Sequence, residues 1–336
     1  MRTRVLRIRR GRDPGPQVEP AAVVLRKGGL VAFPTETVYG LGASALDSRA
    51  AARIFRAKGR PADNPVIVHV GRMGDLGRVA GRTPPSALRL ARAFWPGPLT
   101  LLFPKHPRLP RVVTAGLPTV AVRMPAHPVA LELIRRAGVP VAAPSANRSG
   151  RPSPTRARDV LEDLEGRVEM VVDGGPTPIG VESTVLDTLA SPPVLLRPGA
   201  VPREALERVA GPVRLHPGLE KGAASSPGLK HRHYAPKARI VLVEGTPPEV
   251  RKKMGLLARD LRSRGKSVAA LVASTPPPPS ILVRRLGRDP RTAARRLFAS
   301  LRDLDREGVD VILVENFGPG GLGLALRDRL ERAAKR

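Results

Sequence analysis

At 336 residues and 41% apolar side chains, the chain is long enough for about two globular domains, each with its own core. The absence of cysteine excludes disulfides, thiolate nucleophiles and cysteine-ligated zinc, and six scattered histidines leave little for a metal site. Lysine and arginine outnumber acidic residues 58 to 29, and the resulting net charge of +29 predicts attraction to polyanions, although 3% aromatic content is thin for a single-strand nucleic-acid reader.

No apolar run approaches the roughly 20 residues of a membrane span. The start Met1-Arg2-Thr3-Arg4-Val5-Leu6 lacks the apolar core of a secretory signal, so a cytoplasmic protein without membrane contact is expected. Residues 1–16 carry six arginines with Val5, Leu6 and Ile8 between them, a pattern that fits either an edge strand with a basic face or a frayed tail. Pro20 to Lys27 reads as a helix closed by Gly28-Gly29.

The stretch from Leu30 to Val70 organises the rest. It reads as a buried strand (Leu30 to Phe33), a polar Pro34-Thr35-Glu36-Thr37 turn, a bend at Gly40 and Gly42, a helix (Ser48 to Arg56), Lys58-Gly59-Arg60-Pro61, and a second strand (Val66 to Val70). Hydroxyls (Thr35, Thr37, Tyr39), cations (Lys58, Arg60), an amide (Asn64) and an imidazole (His69) thus collect where strands end, the usual place for ligands in open α/β sheets. These groups suit an anion better than acid–base hydrolysis.

Further on, Pro84 to Phe94 reads as a helix and Leu99 to Phe103 as a strand, both scaffold. Arg123 stands in the apolar strand that begins at Val120, where a cation is costly unless paired. Its partner is either an anionic ligand or a carboxylate such as Glu36 or Glu182. A helix (Pro128 to Ala137) and a short strand (Val139 to Ala143) lead to the polar loop Pro144 to Ser153. Met170 to Asp173, Ser183 to Asp187 and Val194 to Arg197 suggest antiparallel additions to a mixed sheet, and a helix from Arg203 to Val209 closes the unit.

Residues 211–238 form a Gly/Pro/Ser-rich connector with a Lys230-His231-Arg232-His233-Tyr234 cluster; two histidines without a third ligand do not make a metal site. From Arg239, strands (Ile240 to Val243, Val268 to Val272, Val311 to Val314) alternate with helices (Pro248 to Arg264, Ala293 to Arg306, Leu324 to Lys335), the signature of a small parallel sheet. Pro276 to Pro279 reads as an extended loop. Gly318 to Gly323 fits G-x-G-x-x-G, but the chain ends at Arg336, leaving no second strand and no ribose-binding acid, so a tight turn is expected. No P-loop, G-x-S-x-G or H-E-x-x-H sequence occurs.

The run Pro34-Thr35-Glu36-Thr37-Val38-Tyr39-Gly40-Leu41, followed by Lys58-x-Arg60 and Ser145-Ala146-Asn147, resembles the threonylcarbamoyl-AMP synthase family in its two-domain form. The likeness covers roughly Val18 to Leu206, and a motif from Ser226-Pro227-Gly228 through Tyr234-Ala235-Pro236 extends it; the basic N-terminal arm has no counterpart in it, and Leu322 to Arg329 fits loosely. The resemblance implies an α/β protein: a YrdC-like catalytic domain with a twisted mixed sheet and helices (1–210), a linker or lid segment (211–238), and a small Rossmann-like α/β domain (239–336).

It also implies synthesis of threonylcarbamoyl-AMP from L-threonine, bicarbonate and ATP with release of pyrophosphate, feeding a downstream tRNA threonylcarbamoyl transferase. Carried over, Thr37, His69, Arg123, the backbone at Ala143 and Ser183 would hold threonine. Arg60, Asn64, Thr119, Ser145, Asn147, Ser153, Arg197 and Tyr234 would hold ATP, with Lys58 as the point charge near the α-phosphate and Lys58 and Arg60 as the catalytic cations. Mg²⁺ would arrive on the triphosphate, with no metal held by the protein alone. The competing reading is a basic module that grips double-stranded RNA without ATP turnover; direct tRNA contact also stays open. A carbamoyl-phosphate-dependent relative is a third reading, against which the absence of cysteine-rich fingers speaks.

Overall fold

The computed structural model describes residues 2–9, 11–217, 234–276 and 281–335. The cluster Lys230 to His233 and most of the run Pro276 to Pro279 lie outside them. No helix among the described residues is long and apolar enough to cross a membrane.

The N-terminal part is an 11-stranded mixed sheet in the order β1-β8-β2-β3-β7-β4-β6-β5-β9-β10-β11. β1 (Arg4–Arg7) settles the ambiguous arginine-rich start: it is an edge strand, parallel to β8 (Met170–Asp173), with Arg4 and Arg7 exposed. The helix after it, α1 (Pro14–Arg26), begins earlier than expected because Asp13 caps it by accepting from the Gly15 amide.

β2 (Val31–Pro34) and β3 (Tyr39–Ser44) form an antiparallel hairpin. The sequence pattern suggested only a bend at Gly40 and Gly42. Gly42 is instead where neighbouring side chains cross the strand: a Cβ there would stand 2.7 Å from the Phe33 ring and 2.8 Å from Val141. Met170–Asp173 is also corrected, since it runs parallel to both β1 and β2; β9 (Thr184–Asp187) is antiparallel to β10 (Val194–Arg197) but parallel to β5 (Leu99–Pro104).

α2 (Ser48–Lys58) carries its apolar face (Ala51, Ile54, Phe55) into the main core and stops at Gly59, which takes the left-handed conformation at φ 62°. β4 (Val68–His69) sits between β6 (Thr119–Arg123) and β7 (Val141–Ala142). α3 (Pro85–Phe94), α4 (Arg111–Thr114), α5 (Pro128–Ala137), α6 (Ala157–Leu164) and α7 (Arg203–Ala210) complete this part, with β11 (Arg214–Leu215) at its far edge.

The C-terminal domain is a second sheet, all parallel, in the order β12-β15-β13-β14: β12 (Arg239–Val243), β15 (Val311–Glu315), β13 (Val268–Val272) and β14 (Leu282–Arg285). Alternate strand residues face opposite ways. Ala269, Leu271, Ile312 and Val314 pack with α9 (Pro290–Arg306) and α10 (Gly321–Ala334), whereas Ala270, Val272 and Leu313 pack with α8 (Pro247–Ser263). Gly318 to Gly323 is a tight turn into α10, in which a Cβ on Gly323 would stand 2.5 Å from the Gly318 carbonyl oxygen.

The two parts share an interface. Val38 and Val181 join the apolar cluster of the C-terminal domain. Beside them Arg302 of α9, 1% exposed, donates to the Pro152 carbonyl at 3.1 and 2.5 Å and to Asp163 of α6 at 2.7 Å. Arg156, Asp159 and Glu162 extend the ionic contact to Asp303 and Arg306.

Candidate active site

The hairpin turn, the end of α2 with the segment after it, the start of β6 and the loop after β7 converge on one cavity of about 200 Å³. Its wall takes in Thr37, His69, Arg123, Ala143 and Ser183 from the expected threonine set, and Arg60, Asn64, Thr119, Ser145, Asn147, Arg197 and Tyr234 from the expected ATP set. Lys58 and Ser153 stand behind this wall. Lys58 Nζ donates to the carbonyls of Ser145 and Asn147, 2.5 Å each, and Ser153 Oγ donates to Glu182 at 2.5 Å. Tyr39 is not at the site: it is fully buried and its hydroxyl donates to the Gly175 carbonyl.

Several wall residues are positioned by identifiable local devices. Thr35 Oγ1 donates to the Val38 carbonyl and closes the hairpin turn, placing Thr37 Oγ1 2.8 Å from Thr35 Oγ1. Register sets Arg123 beside His69, since β6 and β4 pair in parallel at those residues. The loop after β7 is stitched to β3, with the Ala146 amide donating to Tyr39 and the Leu41 amide to Pro144, both 2.8 Å. Ser145 Oγ then lies 2.5 Å from Asn147 Oδ1.

The electrostatics divide the cations into two kinds. Arg123 is ion-paired with Glu36 at 2.6 Å and donates to Thr37 Oγ1 at 2.9 Å, so of the two partners open on sequence grounds the internal carboxylate is present. The pair is poorly aligned: Arg123 Nη2 and both Glu36 oxygens make no hydrogen bond. Arg60 donates only to the carbonyls of Asn64 (3.1 Å) and Pro65 (2.9 Å), and Arg197 only to the carbonyl and hydroxyl of Ser183 (2.9 and 3.1 Å). Neither has a carboxylate within ion-pair distance among the described residues.

Burial, with the Arg197 charge adding to it, pulls the Arg60 guanidinium down to about 10. Burial lowers Arg197 as well, and lowers the Lys58 ammonium well below its ordinary value with Arg60 assisting. His69 is pushed down to about 3 by burial and then by Arg123, which keeps its imidazole neutral. Its Nδ1 and the Asn64 Nδ2 are buried without a hydrogen-bond partner. Fixed, under-compensated cations beside unpartnered polar atoms make a site prepared for an anionic, hydrogen-bonding ligand.

Four polar wall residues lay outside the expected set. Thr35 closes the turn, Arg151 comes from the loop after β7 and pairs with Asp163, Glu182 precedes Ser183, and Arg332 arrives from α10 of the C-terminal domain. Nothing in the local sequence around Arg332 marks it, because its place depends on how the second domain docks. Among the described residues no three His, Asp or Glu side chains gather as metal ligands.

Comparison with known proteins shows the family. A family model described as telomere recombination, spanning Sua5, YciO and YrdC proteins, matches residues 23–199, and one described as the threonylcarbamoyl-AMP synthase C-terminal domain matches residues 201–335. The threonylcarbamoyl-AMP synthase of Pyrococcus abyssi is 51% identical over 321 residues, 95% of this chain and 94% of its own length; that of Bacillus subtilis is 47% identical over 326 residues, 95% and 93%. The crystal structure of P. abyssi Sua5 complexed with L-threonine superposes with a TM-score of 0.93 at 50% identity, covering 99% of this chain and 98% of that one. With two family models spanning almost the whole length and relatives at this identity, the chain belongs to the threonylcarbamoyl-AMP synthase family.

Proposed function

We propose that this chain synthesises threonylcarbamoyl-AMP from L-threonine, bicarbonate and ATP and releases pyrophosphate. The observation that carries the reading is the pair Arg60 and Arg197: half-buried guanidiniums on one cavity wall, bonded among the described residues only to neutral oxygens. A triphosphate supplies the missing negative charge, and the enzyme's contribution to nucleotidyl transfer is mostly such positioning and charge stabilisation.

Thr37, His69, Arg123, Ala143 and Ser183 are assigned to L-threonine, the molecule with which the P. abyssi relative is complexed in its crystal structure. The neutral imidazole of His69 and the hydroxyls of Thr37 and Ser183 suit its ammonium and hydroxyl, and Arg123 suits its carboxylate. Once the amine has combined with CO₂, a carbamate oxygen attacks the α-phosphorus and pyrophosphate leaves in line. Arg60, Asn64, Thr119, Ser145, Asn147, Arg197 and Tyr234 are assigned to ATP. Ser153 supports Glu182 from behind, and Lys58 fixes the Ser145–Asn147 loop while keeping its charge near the transferring phosphate.

Mg²⁺ is assigned to the nucleotide: the one carboxylate on the nucleotide side of the wall, Glu182, is already paired with Arg329 at 2.8 Å. The mixed anhydride product is labile, so the assignment implies prompt hand-over to a tRNA threonylcarbamoyl transferase. A cavity walled by fixed cations together with hydroxyls and a neutral imidazole, rather than a basic surface alone, is what favours this over the double-stranded RNA module.

The test is pyrophosphate release from ATP and bicarbonate, with and without L-threonine. Release is expected to depend on threonine and to fall on the order of 10²-fold or more in Lys58→Ala. Threonine-independent release, or none, overturns the reading.

A further inference from the structure

A carboxylate on the wall of a triphosphate site is an anomaly, because it repels the ligand and competes for the same cations. Glu182 is such a group, 6% exposed and on the wall. Its oxygens are both engaged: Oε1 accepts from Ser153 Oγ at 2.5 Å and Oε2 accepts from Arg329 Nε at 2.8 Å. Arg329 belongs to α10 of the C-terminal domain, its side chain is fully buried, and it is not itself on the cavity wall. Asp328 takes Arg329 Nη1 at 2.5 Å on one oxygen and Arg332 at 2.8 and 2.6 Å on the other.

A continuous chain therefore runs Ser153–Glu182–Arg329–Asp328–Arg332, from the catalytic domain through α10 and back to the cavity. We propose that Arg329 is a positioning residue that neutralises Glu182 across the domain interface, so that Arg197 stays available to the triphosphate. This inference rests on the ATP reading of the cavity.

The surrounding charges support it. Arg197 is the other cation acting strongly on Glu182, and the two influence each other's protonation; with Arg329 foremost, they hold the Glu182 carboxyl below its ordinary value although burial works the other way. Take Arg329 away and the cation left acting most strongly on Glu182 is Arg197, one of the two wall guanidiniums without a carboxylate. Arg329 also stands 5.5 Å from the Tyr234 ring centroid, so the same group touches an assigned nucleotide contact. The C-terminal domain thus sets the charge of a site whose other walls come almost entirely from the N-terminal part.

The experiment measures binding of an ATP analogue that cannot be cleaved between the α- and β-phosphates, by calorimetry on the full-length protein. Arg329→Met is expected to weaken binding about tenfold or more, the scale of an uncompensated like charge at a contact. Glu182→Gln is expected to bind at least as tightly as wild type, and R329M/E182Q to return to within about threefold of it, because without the Glu182 charge nothing needs neutralising.

A double variant as weak as Arg329→Met overturns the inference and leaves Arg329 a purely structural residue. A loss of about tenfold in Glu182→Gln also overturns it, making Glu182 a ligand or metal contact in its own right. Should Arg329→Met not fold, Glu182→Gln is compared with R329Q/E182Q: agreement within about threefold supports the inference and a tenfold loss in the double variant overturns it. Wild type that binds no analogue overturns the ATP reading; wild type that binds while the variants break the pattern overturns only this inference.

Discussion

Lys58 and Asn147 are joined by a 2.5 Å hydrogen bond from the ammonium to the main-chain carbonyl, bridging 89 positions of sequence. This bond, with its twin to the Ser145 carbonyl, makes the Lys58-x-Arg60 and Ser145-Ala146-Asn147 motifs one unit. Replacing Lys58 by Met strands two carbonyls in a buried place, at about 1 to 3 kcal/mol each. Lys58→Met is therefore expected to lower both unfolding free energy, read by denaturant titration, and ATP affinity. A variant that lost affinity at unchanged stability would make Lys58 a pure phosphate contact.

Arg197 predicts the opposite pairing of effects. Its charge is half-buried against neutral oxygens, which costs the apo protein stability. Arg197→Met is expected to bind ATP on the order of tenfold to a hundredfold more weakly while leaving the apo melting temperature unchanged or raised. The same trade between site and stability is expected at Arg60. A marked fall in apo stability at either position would mean that the cation serves the fold.

These pairings also show what the sequence made legible. Polar residues at strand ends announced the site, because strands and their boundaries follow from local apolar patterning. Strand direction did not: Met170–Asp173 looked like an antiparallel addition, yet it pairs parallel on both sides, a choice set by chain crossovers and not by composition. Gly40 and Gly42 looked like a bend because a glycine's local preference is visible while the Phe33 and Val141 side chains that exclude a Cβ at Gly42 are not. Arg329 and Arg332 were invisible for the same reason, since their role exists only once α10 docks against Glu182. The Rossmann-like alternation after Arg239 was plain in the sequence; which of its helices would reach the cavity was not.

His69 makes a pH prediction. Its folded value is depressed from 6.5 to about 3, so the stability it contributes is fully present above 6.5. As pH falls below that, the unfolded chain binds a proton that the native imidazole refuses, and stability declines by up to roughly 1.4 kcal/mol per pH unit until about 3. Denaturant titrations between these limits are expected to show a shallower decline for His69→Gln than for wild type. Parallel declines would show that His69 does not carry this part of the acid limb.

The domain interface separates two arginines of one helix by burial. Arg306 has a side chain 33% exposed, its pairs with Glu162 and Asp303 are screened by water, and the buried Asp159 beneath it keeps Arg156 as a second partner, so Arg306→Ala is expected to cost no more than about 1 kcal/mol. Arg302, one turn earlier and 1% exposed, holds the Pro152 carbonyl and Asp163, and Asp163 in turn accepts from the Arg148 amide and pairs with Arg151. Arg302→Met removes one partner of a buried pair, an effect of about 3 to 5 kcal/mol, and it releases the loop that carries Ser145 and Asn147. Denaturant titration is expected to show that loss in Arg302→Met alone, together with weaker ATP binding that Arg306→Ala does not share. Equal effects from the two substitutions would mean that the interface is held by its net charge and that Arg302 has no special hold on the loop.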